Sequence, residues 1–266
     1  MVDPTRGVLY PGRLPLLHRL PADEEARDLI AWFWVPEWDL EPGIVSRQHV
    51  VGYPALNLVV EPEGVTLSGA TSIATHRDLE GRGWAVGALL RPAAVRTLTE
   101  APAELVDREI ALAAPELHTA VVAAMTTDPE RHRRATRVVA DWLRLRSGPI
   151  TDAARQANAM VDALVGEDAA RSPEEAASRL AVSVRTLQRL AHRYVGVAPA
   201  AMIRRRRLQD AADRLRADPR QDLAALAAEL GYADHAHLSR DFTAVLGIAP
   251  SAYRVVPAGR SGVRES

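Results

Sequence analysis

Apolar positions along this chain fall into two rhythms. Up to about residue 91 they come in short runs between dense Pro and Gly punctuation. Leu29–Val35, aromatic and β-branched, reads as a strand, as does Ala55–Val60, whose first half alternates. Val65–Leu67 follows a turn at Pro62–Gly64, and Trp84–Leu90 follows Gly81-Arg82-Gly83 and runs into Arg91-Pro92. Short strands at that spacing predict a β-rich, sandwich or barrel-like domain.

Beyond Pro92 the rhythm becomes helical. Ala135, Val138, Val139, Trp142 and Leu145 share one face of a helix that starts near Pro129 and ends at Gly148-Pro149. Ala153, Ala157, Met160, Val161, Leu164 and Val165 predict a second amphipathic helix, stopped by Gly166. The polar run Gly166–Arg171 predicts an interdomain linker. The predicted class is therefore α+β. A β-rich sensor or dimerisation domain spans 1–128, amphipathic helices 129–166, a linker 167–171 and an all-α domain 172–256. A helix presenting Val138, Val139 and Trp142 must bury them. Symmetric pairing is the common solution, so a homodimer assembled through this face is expected, with packing against its own β-domain as the alternative.

The all-α third is a duplicated unit. Gly196–Met202 aligns with Gly247–Tyr253 at an offset of 51 residues, which also pairs Leu187 with Leu238, Arg189 with Arg240 and Ser183 with Asp234. Each copy, 172–196 and 222–247, reads as helix, tight turn, helix. Ser172-Pro173 supplies N-cap and N1 of the first helix, and Ser183 caps the second after a turn at Ala181-Val182. In the other copy Asp222 and Asp234 are the caps, with Gly231 making the turn. So short a turn sets two helices steeply, letting the second enter a DNA major groove.

The second helices divide by face. Leu187, Leu190, Ala191 and Tyr194 point inward, leaving Arg185, Gln188, Arg189 and His192 outward. In the second unit Leu238, Phe242 and Leu246 point inward, leaving Ala236, Ser239, Arg240 and Thr243 outward, with His235 at the N-terminal edge. Arg and Gln pair with guanine O6/N7 and adenine N6/N7, although any one of them alone is equally an ordinary solvated helix residue. Between the units a helix over 199–216 buries Leu208, Ala211, Ala212 and Leu215. At 1.5 Å per residue it is roughly 27 Å long. With the flanking units added, that approaches the ~34–36 Å between successive major-groove faces. The run Arg204–Arg207 offers either phosphate contacts or an ion-paired helix face.

Charge sharpens the division. The net charge of −1 conceals 18 Arg against 24 acids over 1–171, but 13 Arg against 9 acids over 172–256. A basic module joined to an acidic one is expected where one half meets a polyanion. Every cation is Arg, which makes the bidentate contacts Lys does not. Cysteine is absent, excluding disulfides, thiolate nucleophiles and Cys-ligated zinc. No signal-like start and no stretch of 18 apolar residues occurs, so a cytoplasmic, non-membrane protein is expected.

The strings Val184–Arg189, Gly196–Pro199, Arg207-Leu208 with Ala211, Leu230–Asp234, His237–Phe242 and Gly247–Arg254 resemble the AraC/XylS family of transcription regulators. The resemblance covers 172–254, a third of the chain. It implies a regulator that places two recognition helices in adjacent major grooves of double-stranded DNA. Arg185, Gln188 and Arg189 would read one groove, and His235, Ala236, Ser239 and Arg240 the other. It also implies an N-terminal domain that binds a small-molecule effector, dimerises, or both; RNA polymerase is a further candidate partner. The chain departs from the family at Ala191 and Leu238, where Phe is usual, and at Ala236, where Ser or Gln is common.

Other chemistry is sparse. His18, His49, His76, His118 and His132 lack metal-ligand spacing and read as surface or satisfied histidines. No nucleophile elbow, phosphate loop or dinucleotide fingerprint occurs in context, so no catalytic residue, metal or cofactor is expected. An enzyme with an appended DNA-binding domain is the least favoured reading. Trp32 and Trp34 share a strand face and, with Trp84, are candidates to line an effector pocket; plain core packing is the alternative. The leading expectation is a ligand-responsive DNA-binding regulator. A regulator whose N-terminal domain only dimerises or binds protein stands second.

Overall fold

A computed structural model describes residues 16–254 apart from Val51 and Asp128; the outer ends of the two predicted domains lie outside the described residues. Among the described residues the N-terminal half has nine strands: β1 (Leu16–Pro21), β2 (Ile30–Asp39), β3 (Val45–Val50), β4 (Asn57–Glu61), β5 (Gly64–Ser68), β6 (Thr75–Glu80), β7 (Arg82–Trp84), β8 (Val86–Leu90) and β9 (Glu109–Ala111). The main antiparallel sheet runs β1-β2-β8-β4-β5-β9, with β7 beside β2, and β3 and β6 form a separate pair. The sheet stays open and does not close into a barrel. Its inner face packs on helices, because the alternate residues Phe33, Val35, Leu58, Val60, Val65 and Leu67 meet α1 (Pro92–Leu98), α2 (Pro115–Met125) and α3 (Arg131–Ser147) in one core.

The stripe on α3 differs from the predicted one. Ala135, Thr136, Val139, Ala140 and Leu143 are buried, with Val138 and Trp142 flanking them against the same core. Leu145 stands 88% exposed. The inward line steps by four residues from 135 to 143 and leaves Leu145 on the far side. The helix thus satisfies its apolar face within its own domain, the second of the two outcomes expected for it.

Helix α4 (Asp152–Val165) joins the two halves. Its Ala157, Met160 and Leu164 are fully buried with Leu187, Ala191 and Met202 of the C-terminal half. The segment after α4 is not the solvated linker its polarity predicts. Ala170 is buried, and its N–H donates to the Ala163 carbonyl at 2.8 Å, folding the chain back on α4. The C-terminal half is all helix: α5 (Pro173–Arg179), α6 (Val184–Tyr194), α7 (Pro199–Ala217), α8 (Leu223–Glu229), α9 (His235–Leu246) and α10 (Pro250–Tyr253). Helix α7 is a strut shared by both units. Met202 and Ile203 enter the first unit's core, while Leu208, Ala211, Ala212 and Leu215 enter the second's. Among the described residues no helix is long and apolar enough to cross a membrane.

Candidate nucleic-acid interface and N-terminal cavity

Each helix-turn-helix unit is capped as its sequence requires. Ser172 Oγ accepts from Glu175 N–H at 3.2 Å and Ser183 Oγ from Thr186 N–H at 3.1 Å. Asp222 accepts from Ala225 N–H at 3.0 Å and Asp234 from His237 N–H at 2.7 Å. Those backbone donors hold both aspartates below the usual carboxylate range. The turns use left-handed backbone at Ala181, φ 52°, and at Gly231, φ 76°. From Ser172 to Asp222 is 50 positions, whereas Ser183 to Asp234 is 51, so the second turn is one residue longer.

On α6, Leu187, Leu190, Ala191 and Tyr194 are buried, while Arg185, Gln188, Arg189 and His192 all stand in solvent along one face. On α9, Leu238, Phe242, Val245 and Leu246 are buried, and His235, Ala236, Arg240 and Thr243 are exposed. Ser239 is only half-exposed, and its carbonyl accepts the Thr243 hydroxyl at 2.8 Å. The second face therefore presents fewer unengaged polar groups than the first.

The arginine run of α7 takes structural partners. Arg204 makes a two-pronged pair with Asp241 on α9 at 2.9 and 2.8 Å, Arg206 lies 3.4 Å from Asp210, and Arg207 donates to the Arg171 carbonyl. Arg205 is buried and reaches into the N-terminal half. It donates to the Gly52 carbonyl at 2.9 Å, the Ile73 carbonyl at 3.0 Å and the Thr71 hydroxyl. Burial lowers its pKa to about 10, and it stays charged at neutral pH. Nearby, Ala74 N–H donates to the Val245 carbonyl at 2.6 Å. The first unit is also tied in: a Cβ at Gly196 would lie 2.6 Å from the Pro102 carbonyl, whereas its repeat partner Gly247 meets nothing within 4 Å.

The outer face of the main sheet and the β3–β6 pair enclose a cavity of about 540 Å³. Trp32, Trp34 and Trp38 of β2 line it, with Tyr53. Trp38 and Tyr53 are not among the residues the sequence pattern singles out; Trp38 continues the period-two spacing of the other two. Cross-strand register explains how the indoles lie. Trp34 pairs with Gly87 and Trp38 with Gly83, and a Cβ on either glycine would lie 2.0 or 2.3 Å from the ring. Trp84 does not line the cavity. It pairs with Glu37, whose side chain is on the helix-covered face, and packs against the inner core. Cross-strand partners share a face, which places Trp84 opposite to Trp34 and Trp38.

On that inner face three elements bring together His18, Glu37 and His132, with ligand-type atoms all within 4.8 Å. Their sequence separation gives no hint of the cluster. Arg131 already engages both Glu37 oxygens, at 2.9 and 2.8 Å, and His132 Nε2 lies 3.0 Å from Oε1. Burial raises the Glu37 pKa, but the Arg131 and His132 hydrogen bonds outweigh it and hold the carboxyl below its ordinary range. Of the other histidines, His118 Nε2 lies 3.0 Å from the Glu61 and Pro62 carbonyls.

The geometry defines a two-part molecule, a strand-rich domain with a cavity joined to a domain of two helix-turn-helix units. Residues 176–255 match the family described as a helix-turn-helix domain, and residues 9–111 one described as a domain of unknown function (DUF6597). Over those residues the C-terminal domain is similar to helix-turn-helix domains of the AraC type. No curated protein matches the chain in sequence. Solved structures similar to it include an apo variant of ToxT from Vibrio cholerae, at 13% identity and TM-score 0.42, covering 84% of this chain and 96% of that one. ToxT of the same organism with bound unsaturated fatty acid is 10% identical, with TM-score 0.39 and coverage of 98% and 99%. The AraC-like transcriptional activator CuxR is 16% identical, with TM-score 0.25 and coverage of 76% and 91%.

Proposed function

We propose that the protein is a transcription regulator that binds double-stranded DNA through α6 and α9 and answers to a small molecule held in the N-terminal cavity. The observation that carries the reading is the pair of capped units on one shared strut, each turning a polar helix face to solvent. Arg185, Gln188, Arg189 and His192 read bases in one major groove. His235, Ala236, Ser239, Arg240 and Thr243 meet the next, with Ala236 giving close approach and not a hydrogen bond. The effector reading is supported by the cavity's volume, which lies in the ~300–1,000 Å³ range of small-molecule sites, and by the indoles of Trp32 and Trp34 in its wall. The α3 stripe packs within its own domain and so gives no support to the reading in which the N-terminal domain only dimerises.

Selection of the full-length chain against a random duplex library tests the DNA reading. The expected product is a site with two recognition elements about 10–10.5 base pairs apart. Its affinity should fall steeply with salt as phosphate contacts release counterions. Recovery of no preferred sequence, or binding that survives removal of residues 150–266, overturns it.

A further inference from the structure

Resting on the reading of the cavity as an effector site, we propose that its ligand is an uncharged, flat aromatic molecule stacked on the Trp34 indole. The arrangement of that indole carries the argument. Because Gly87 has no side chain, the indole packs close over the sheet backbone, in the space a Cβ would take, and forms part of the cavity wall. Trp38 repeats the device over Gly83. The polar edges of both rings are already engaged: Trp34 Nε1–H donates to Asn57 Oδ1 and Trp38 Nε1–H to the Glu80 carbonyl, each at 3.1 Å. The two residues thus offer a ligand ring face, not a donor. Offset stacking and edge contact are the geometries such faces favour, and Trp32 meets Tyr53 edge-on at 4.6 Å in the same wall.

Charge at the cavity argues against an ionic ligand. Its rim holds Arg19, Arg77 and Arg108 against Glu61, Asp107 and Glu109, three of each sign, with His76 beside them. Most are engaged within the protein. Arg77 pairs with Glu61 at 2.6 Å, Glu109 accepts the Ser68 hydroxyl at 2.6 Å, and Asp107 accepts the backbone and hydroxyl of Ser72. The Arg19 guanidinium lies 4.9 Å over Trp32, covering the face a cationic ligand would seek. A cationic ligand would have to displace Arg19 from Trp32 or a donor from one of the carboxylates, and Arg77 is already taken by Glu61. A neutral ring system displaces only water.

Calorimetric titration of the full-length protein with four probes tests the class: 1-naphthalenemethanol, 1-naphthoate, 1-naphthylmethylammonium and 1-decanol. The neutral naphthalene is expected to bind about tenfold or more tighter than the ions or the aliphatic alcohol, the stacking preference supplying about three- to tenfold of this. Trp34→Leu should weaken it about tenfold, Trp34→Phe by no more than about threefold, and Trp142→Phe, outside the cavity, not at all. Should Trp34→Leu fail to fold, Trp32→Leu is expected to show a several-fold loss instead. If decanol or an ion binds as tightly and still loses affinity on Trp34→Leu, the cavity is an effector site and the aromatic class is wrong. If no probe binds with dependence on Trp34 or Trp32, the effector reading falls and takes this inference with it.

Discussion

At the residue scale the outward faces of α6 and α9 were legible because a 3.6-residue period fixes which side chains face away once the core positions are known. Arg189→Ala is expected to cost about 1–3 kcal/mol on the selected site and to relax preference at one or two base pairs. Arg240→Ala should cost less specificity, because Ala236 brings no polar atom and the Thr243 hydroxyl is already bonded to the Ser239 carbonyl. Selected-sequence profiles of the two variants check this, and a uniform scaling of all sites by Arg189→Ala would make that residue a phosphate contact. Strand faces were harder to read. Trp84 looked equivalent to Trp32 and Trp34, but its face is set by pairing with Glu37, a register that no local pattern reveals. The Glu37 cluster was illegible for the same reason, drawing on β1, β2 and α3. Its lowered carboxyl pKa stabilises the fold above the ordinary carboxylate range, and that stability is lost as pH falls below about 4.5. Glu37→Gln should therefore flatten the acid limb of the stability-versus-pH curve, measured by urea unfolding between pH 6 and 3.

Elements are read well where caps and turns declare themselves, and less well where packing decides. The sequence places a turn at Ala181, but nothing in it shows that an alanine takes the left-handed conformation that Gly231 takes in the other unit. That conformation costs a non-glycine residue roughly 1–2 kcal/mol, while glycine gives back about 0.5–1 in unfolded-state entropy. Ala181→Gly should thus raise stability by up to about 1 kcal/mol, seen as a small upward shift in melting temperature, with DNA affinity kept. The boundary near 166 misleads because Gly and polar residues mimic a linker, whereas Met160, Leu164 and Ala170 are core to the first unit. A fragment starting at 167 strips that helix away and exposes Leu187, Ala191 and Met202. It should melt well below one starting at 150, and only the longer fragment should bind DNA at 37 °C; equal melting of the two would show that α4 is dispensable to the unit.

At the scale of the whole molecule, the two recognition helices are not free of the cavity. Helix α7 is common to both units, and from its N-terminal half Arg205 holds the carbonyls of Gly52 and Ile73 and the Thr71 hydroxyl. Gly52 and Thr71 are themselves cavity wall. A hydrogen bond to a charged group contributes about 1.5–3 kcal/mol, so this contact is large against the marginal stability of a domain. None of it was visible in the run Arg204–Arg207, where two side chains pair with aspartates and two with backbone carbonyls. Arg205→Met keeps the length and apolar stem but removes every donor. It should leave α8 and α9 folded while the amides of 70–75 exchange faster with solvent, read by hydrogen exchange. The same variant separates two roles for the contact. If Arg205 is only a brace, a ligand that shifts DNA affinity in the parent protein will shift it by the same factor in Arg205→Met. If it joins the cavity to the strut, the factor should fall toward one, because coupling between sites is carried by contacts whose strength differs between the two states. DNA affinities of both proteins, with and without saturating ligand, give the four numbers needed, and an unchanged ratio would reduce Arg205 to a structural tie.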